Sequence, residues 1–204
     1  IGSLFGIPHW IGAAAITIAI CLYTLRGGFR AVSWTDALQG AVMTAMMLLA
    51  LIVVVVALGG WSDALNRVHE SEPALFSRPG ASGSYIPSVW FGFLLLWFFC
   101  DPMFPQLFQR LYAARNDRAI SVTVLAYPAV CLLAFAPPVL MGVLGHSVFS
   151  GMKGKEADAI LPRLLEWSGG DVMGALIITA GIAALMSTMD SQLLTLSSIL
   201  RRDL

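Results

Sequence analysis

Charged side chains are scarce in this sequence: only 12% of its 204 residues are Asp, Glu, Lys or Arg, whereas 58% are hydrophobic. Soluble domains carry roughly 25% charged residues, so this composition excludes an ordinary soluble protein. Basic and acidic residues balance at twelve each, which leaves no basic excess of the kind that binds nucleic acid. With a mean hydropathy of +0.80, the chain is predicted to be an all-α, polytopic membrane protein.

Cysteine is also rare, and the three copies, Cys21, Cys100 and Cys131, lie far apart in apolar runs. The sequence contains no CxxC pair and no Cys/His cluster, so zinc and redox sites are unsupported. It also has no signal-peptide pattern at its start, and it begins at Ile1 rather than at a Met. We therefore expect a piece of a longer polypeptide.

Long apolar runs are what the sequence has in abundance. A bilayer core of ~30 Å needs about 20 apolar residues per helix, and five runs meet this length. They cover approximately 8–25, 34–58, 87–108, 119–145 and 172–200. Residues 1–204 are thus predicted to form a single, partial transmembrane domain of five helices.

The charges between these runs predict an orientation. The short connections, 26–33 and 110–118, together with Asp36 and the last residues of the chain, carry seven arginines against three aspartates. The long connections, 59–86 and 146–171, carry five basic residues against seven acidic ones. Because short loops rich in Lys and Arg stay on the cytoplasmic side, we expect the arginine-rich connections to lie inside the cell.

A cluster of polar residues interrupts the last apolar run. Ala184, Ser187 and Thr188 fall on one helix face, and Asp190 follows them. Polar groups at this depth cost free energy unless they meet one another or an ion. Hydroxyl and carbonyl oxygens suit a small hard cation such as Na⁺. The alternative is a plain helix–helix contact, since Ser, Thr and Ala are common where membrane helices pack.

The third apolar run contains two closely spaced prolines, Pro102 and Pro105, which are expected to kink or unwind the helix. Broken helices are where transporters place substrate contacts. Trp97 and Phe98 are candidate walls of such a pocket, and Asp101 is an intramembrane carboxylate, so we assign these three residues to substrate binding. A kinked packing helix with its aromatic side chains facing lipid is the alternative interpretation.

Three segments of the chain resemble the sodium:solute symporter family. The stretch 184–194 (ALMSTMDSQLL), followed by Ser197 and Ser198, resembles the sodium-binding helix of that family. The stretch 23–40 (YTLRGGFRAVSWTDALQG) matches its "YT-GG-AV-WTD-Q" segment. The stretch 105–115 (PQLFQRLYAAR) is similar, more loosely, to its "P-RF-AA" segment.

The resemblance implies a function and a set of site residues. Sodium ligation falls to the backbone carbonyl of Ala184 and the hydroxyls of Ser187 and Thr188, and an ion path to Asp36 and Asp190. The implied activity is sodium-coupled symport of a small organic solute by alternating access, the solute being an amino acid such as proline or a monocarboxylate. No enzymatic role is implied, and Na⁺ is the coupling ion.

The resemblance also implies an architecture. The family is built on a LeuT-type core of two inverted repeats of five helices each. The five predicted helices correspond to the last two of the first repeat and the first three of the second. Expected partners are therefore the lipid bilayer and the missing helices of the same polypeptide, which include the other half of the sodium and substrate sites.

Several alternatives stay open at this point. The dipole of a helix beginning near Trp34 accounts for Asp36 without any ion. For Asp190, the alternatives to an ion path are an arginine partner or bonds to its polar neighbours. At the level of function, the first alternative is a symporter-like sensory domain of a histidine kinase. The second is a membrane-embedded enzyme, which would need two carboxylates among Asp36, Asp101 and Asp190 in one cavity.

Overall fold

The computed structural model describes residues 8–80, 83–100, 103–149, 151–152 and 154–202. Over these ranges the chain consists of helices and turns, with no β-strand, and the all-helical prediction is confirmed. The elements in chain order are α1 (His9–Ala57), α2 (Trp61–Ser71), a 3₁₀ helix (Pro73–Phe76), α3 (Pro87–Cys100), α4 (Pro105–Tyr112), α5 (Asp117–Gly145), a second 3₁₀ helix (Gly154–Ala159) and α6 (Ile160–Arg202).

Three helices in the described part of the chain are long and apolar enough to cross a membrane. They are α1, α5 and α6, the last counted with the 3₁₀ turn before it. The helices α3 and α4 add a fourth candidate span, whose two pieces are bent by 48° relative to each other. The predicted third helix, 87–108, is therefore two helices, and the second begins at Pro105, a position where proline suits a helix start.

The helix α1 is interrupted at Gly28, whose φ of 54° and ψ of −150° lie in a region that is essentially reserved for glycine. We call 9–27 the first arm of α1 and 29–57 its second arm. The sequence predicted a connection over 26–33, and this prediction was wrong in extent. Helical structure continues on both sides, so one glycine makes the break.

A second glycine interrupts α6 in the same way. Gly170 has a φ of 66° and a ψ of −168°, and it separates a short helical piece, 160–169, from the long apolar piece, 171–202. The predicted connection 146–171 therefore contains helix from Ile160 onward. The long piece carries the polar cluster.

The chain divides into two compact units. The first comprises Ile1–Met43 and Ala180–Leu204, and the second comprises Thr44–Thr179. In the second unit α2 packs against α5. The fully buried apolar side chains of this unit include Ala64, Val68, Met141, Leu164 and Leu165. In the first unit the buried side chains include Ile20, Val32, Ala180 and Asp190. Both arms of α1 thus contribute to the core of the first unit, beside a buried carboxylate of α6.

Candidate functional site

The predicted sodium ligands lie in the first unit, on the long piece of α6. Thr188 Oγ1 donates to the carbonyl oxygen of Ala184, one turn earlier, over 3.2 Å. Ser187 Oγ donates instead to Oδ1 of Asp36 over 2.6 Å. The structure thereby brings the carboxylate that the sequence assigned to the ion path directly against one of the predicted ligands.

Asp36 lies on the second arm of α1 and accepts hydrogen bonds from two serines of α6. Ser187 binds Oδ1, and Ser191 Oγ donates to Oδ2 over 3.0 Å. The two serines are one helical turn apart, so their hydroxyls face the same side. Hydrogen bonds to an ionised carboxylate are roughly twice as strong as neutral ones. These contacts therefore tie the second arm of α1 to α6.

The position of Asp36 also bears on the helix-dipole interpretation. The second arm begins at residue 29, not near Trp34, so Asp36 lies about two turns into the helix. The dipole acts on charges within the first turn. Its two serine donors, not the start of the helix, account for the placement of this carboxylate.

Asp190 is completely buried, with 0% of its surface exposed. Its Oδ2 accepts a hydrogen bond from Tyr23 Oη over 2.6 Å, and its Oδ1 lies 3.4 Å from Ser191 Oγ. Thr35 Oγ1 is 3.3 Å from Oδ2, but the same hydroxyl is 2.9 Å from the carbonyl oxygen of Val32. Because a hydroxyl has one proton, Tyr23 is the principal donor to Asp190.

The bonds of Tyr23 and Thr35 show that α1 is sharply bent. Thr35 lies twelve positions after Tyr23, and a straight helix would separate the two residues by ~18 Å along its axis at ~1.5 Å per residue. Both hydroxyls nevertheless reach the same oxygen of Asp190. The two arms of α1 therefore turn at Gly28 so that both contact α6.

Sequence reasoning missed Tyr23 and Thr35 as members of this site. Both belong to the stretch 23–40 that carries the family resemblance, and that stretch was the available signal. The distance along the chain concealed their role, since 167 positions separate Tyr23 from Asp190. For Asp190, the sequence suggested either an arginine partner or bonds to its polar neighbours. The structure shows hydroxyl partners, Tyr23 and the neighbouring Ser191.

The residues assigned to the substrate lie elsewhere. Trp97 and Phe98 are on α3 in the second unit and are 59% and 70% exposed. None of the residues of α3 is buried within the described chain. Asp101 lies outside the described residues. The role of these three residues in binding a substrate stays a prediction.

Comparison with known proteins gives a family match over the whole chain. The model of the sodium:solute symporter family matches residues 1–204. The sodium/pantothenate symporter of Haemophilus influenzae is 30% identical over 99% of this chain and 41% of its own length. The high-affinity proline transporter PutP of Bacillus subtilis is 32% identical over 99% of this chain and 42% of its own length.

A further relative is the sodium/proline symporter of Escherichia coli, which is 30% identical over 99% of this chain and 41% of its own length. The chain thus spans about two fifths of the length of the curated relatives it matches. These relatives are symporters and transporters, not enzymes. No solved structure matches the chain significantly.

Proposed function

The chain belongs to the sodium:solute symporter family, and from this premise we propose that its full-length protein couples the entry of Na⁺ to that of a small organic solute. Family membership and the long apolar helices make it a multi-pass protein of the cytoplasmic membrane. The observation that carries the proposal is the contact of Ser187 with Asp36, between two long and largely apolar helices.

The proposed cargo site consists of neutral oxygens on one face of α6. The carbonyl oxygen of Ala184 and the hydroxyls of Ser187 and Thr188 supply part of a coordination shell that suits Na⁺. Asp36 lies just behind Ser187 and adds negative charge without occupying the shell. Neutral ligands bind weakly enough for the ion to leave again, which a carrier requires.

Coupling follows if ion and solute share one conformational equilibrium. Na⁺ shifts the populations of the outward-open and inward-open states by as much as it binds one state better than the other. The solute then gains affinity by the same factor, because linkage is reciprocal. In this mechanism Asp36 and Asp190 lie on or beside the route by which the ion reaches the cytoplasm.

We also propose that the chain contributes five membrane spans to a core of two inverted five-helix repeats. The two arms of α1, the bent pair of α3 and α4, α5, and the piece 171–202 of α6 are the five spans. The breaks at Gly28 and Gly170 support this count, because α1 as a whole has 49 residues and a bilayer core needs only about 20.

The solute site is proposed at the break between α3 and α4, with Trp97, Phe98 and Asp101 as contacts. Helix ends at such a break leave backbone groups free to bind polar parts of a ligand. The relatives are named for proline and pantothenate. An amino acid such as proline, or a monocarboxylate, is accordingly the proposed solute.

The remaining helices of the same polypeptide complete both sites. This follows from the architecture proposed above, because ion and substrate sites lie at the interface of the two repeats and each repeat is only partly present in this chain.

The test is solute uptake into membrane vesicles that contain the full-length protein, with and without an imposed Na⁺ gradient. Thr188→Ala is expected to raise the Na⁺ concentration for half-maximal uptake by about 5-fold or more, because removal of a hydrogen-bonded or ligating oxygen costs about 1–3 kcal/mol. The matched control is Thr179→Ala, since Thr179 is also on α6 and also donates to the carbonyl one turn earlier.

Three results would count against the proposal. Equal rates of uptake with and without the Na⁺ gradient would exclude sodium coupling. An equal response of the two threonine variants would remove Thr188 from the ion site. A protein that binds the solute but does not move it would favour the alternative sensory function.

A further inference from the structure

We propose that Tyr23 and Asp190 form a clamp that positions Asp36 against Ser187 and so sets the affinity of the sodium site. The inference rests on the proposed function, and it adds Tyr23, a residue outside the ligand set, as a positioning residue. It concerns residues of the first unit, which lie on both arms of α1 and on the long piece of α6.

The first observation is the strength of the clamp. The 2.6 Å bond from Tyr23 Oη to Asp190 Oδ2 is short and ends on a carboxylate with 0% exposure. A bond of this kind, shielded from water, is among the stronger ones that neutral donors make. This bond joins the first arm of α1 to α6. Asp36 lies on the second arm, after Gly28, so the two arms are tied to α6 by different carboxylates.

The second observation is that Ser191 lies between the two carboxylates. Its Oγ is 3.0 Å from Oδ2 of Asp36 and 3.4 Å from Oδ1 of Asp190. The hydroxyl has one proton, so the two carboxylates compete for it. Because Tyr23 supplies a donor to Asp190, the proton of Ser191 is left for Asp36, which is also the nearer acceptor.

The third observation connects Asp36 to the ligand set. Ser187 donates its only proton to Oδ1 of Asp36 over 2.6 Å. With the proton held there, the lone pairs of the Ser187 oxygen are available to a cation. Outer hydrogen-bond partners of this kind orient metal ligands and raise their basicity. Loss of the clamp would let Ser191 turn toward Asp190 and would loosen Asp36 behind Ser187.

The experiment measures Na⁺-dependent uptake by the full-length protein in vesicles, over a series of Na⁺ concentrations at saturating solute. Tyr23→Phe removes only the donor oxygen. It is expected to raise the Na⁺ concentration for half-maximal uptake by about 10-fold, the lower end of the cost of removing an outer-shell partner. The solute KM at saturating Na⁺ and the amount of protein in the membrane are expected to stay unchanged.

Matched variants separate positioning from other roles. Tyr112→Phe removes the same atom from a tyrosine that is 79% exposed on α4, and it should behave as wild type. Asp190→Asn keeps an acceptor for Tyr23, whereas Asp190→Ala does not. If Asp190 acts through Tyr23, the Asn variant will have a Na⁺ requirement closer to wild type than the Ala variant. The double variant, Tyr23→Phe with Asp190→Ala, should have the same Na⁺ requirement as Asp190→Ala alone.

A wild-type Na⁺ requirement in Tyr23→Phe would overturn the clamp. If Asp190→Asn and Asp190→Ala are then equally impaired, the charge of Asp190 acts on the ion directly. A different result is uptake by the unmodified protein that does not depend on Na⁺. That result would overturn the proposed function itself, and the clamp with it.

Discussion

At the scale of single residues, the first unit is notable for polar side chains with almost no exposure. Asp190, Ser191 and Thr195 are buried on one helix. An unpaired carboxylate in an apolar environment is strongly destabilising. Here Asp190 and the nearby Asp36 each accept hydrogen bonds from hydroxyl groups. The burial of Asp190 is therefore compensated by hydrogen bonds within the first unit.

Asp36→Asn is the residue-scale prediction. The amide keeps the shape of the side chain and an acceptor for Ser187, but it loses the charge that strengthens that bond. Hydrogen bonds to charged groups contribute about 1.5–3 kcal/mol, so we expect the Na⁺ requirement for uptake to rise by about 10-fold or more. The solute KM at saturating Na⁺ should not change.

The measurement is Na⁺-dependent uptake by the full-length protein, with Asp117→Asn as the control. Asp117 is exposed in the first turn of α5 and is not part of the buried polar cluster of α6. A normal Na⁺ requirement in Asp36→Asn would remove Asp36 from the sodium path.

At the scale of elements, two glycines decide where helices stop. Pattern reasoning located the long apolar runs but extended the connection between the first two over eight residues, because Gly, Arg and Ser are typical of loops. The structure needs only Gly28. Helical hydrogen bonding resumes immediately after it, and both arms are then held by α6.

Gly28→Ala and Gly170→Ala are the element-scale predictions for stability. Both glycines have positive φ with ψ near ±150–170°, and a side chain there costs on the order of 1–3 kcal/mol. We expect each variant to lower the melting temperature of the purified full-length protein. The controls are Gly40→Ala and Gly181→Ala, on the same two helices, where an added Cβ would meet nothing within 4 Å in the described chain.

Alanine also favours helix over glycine by up to about 1 kcal/mol, so the controls should be neutral or stabilising. Equal melting temperatures for Gly28→Ala and Gly40→Ala would show that the break at Gly28 does not depend on its conformation.

The break between α3 and α4 provides a second element-scale prediction. Trp97→Ala is expected to raise the solute KM of uptake while the Na⁺ requirement at saturating solute stays unchanged, because the ring is proposed to form a wall of the solute pocket. Loss of a large aromatic contact typically costs more than 1 kcal/mol where the residue is a binding hot spot, which corresponds to a KM rise of about 5-fold or more.

Trp90→Ala is the matched control. Trp90 lies seven positions earlier on α3, on the same face, and the two rings are similarly exposed at 62% and 59%. Trp90 lies farther from the break, near the start of α3. An equal effect of both variants on the solute KM would indicate a general role of this face in packing.

At the scale of the whole molecule, the distribution of charge predicts which connections face the cytoplasm. Ser77→Cys and Ala113→Cys test this, each placed in a full-length protein from which all native cysteines, including Cys21, Cys100 and Cys131, have been removed. Both positions are exposed and lie in connections of opposite charge balance. A membrane-impermeant maleimide applied to intact cells is expected to label Ser77→Cys only.

After the cells are made permeable, Ala113→Cys should react as well, since its connection carries the arginines that stay inside. The cysteine-free protein is the control for background labelling. Labelling of Ala113→Cys in intact cells would reverse the orientation, and labelling of both would contradict an odd number of spans between them.

Local features of the chain are enough to predict the membrane setting, the helical class and the hydroxyl-bearing face of α6. Scarce charge, long apolar runs and hydroxyls spaced by three and four positions are local features that need no knowledge of the fold. The family resemblance rested on short sequence motifs of the same kind, and the comparison with the family confirmed it.

Which polar groups meet depends on how the helices pack. Helices that are apolar on all sides do not reveal in their sequence which face packs against which neighbour. The pairs Ser187 with Asp36 and Tyr23 with Asp190 are 151 and 167 positions apart, and they form because Gly28 turns both arms of α1 toward α6. Long-range hydrogen bonds depend on that packing, and no local pattern encodes it.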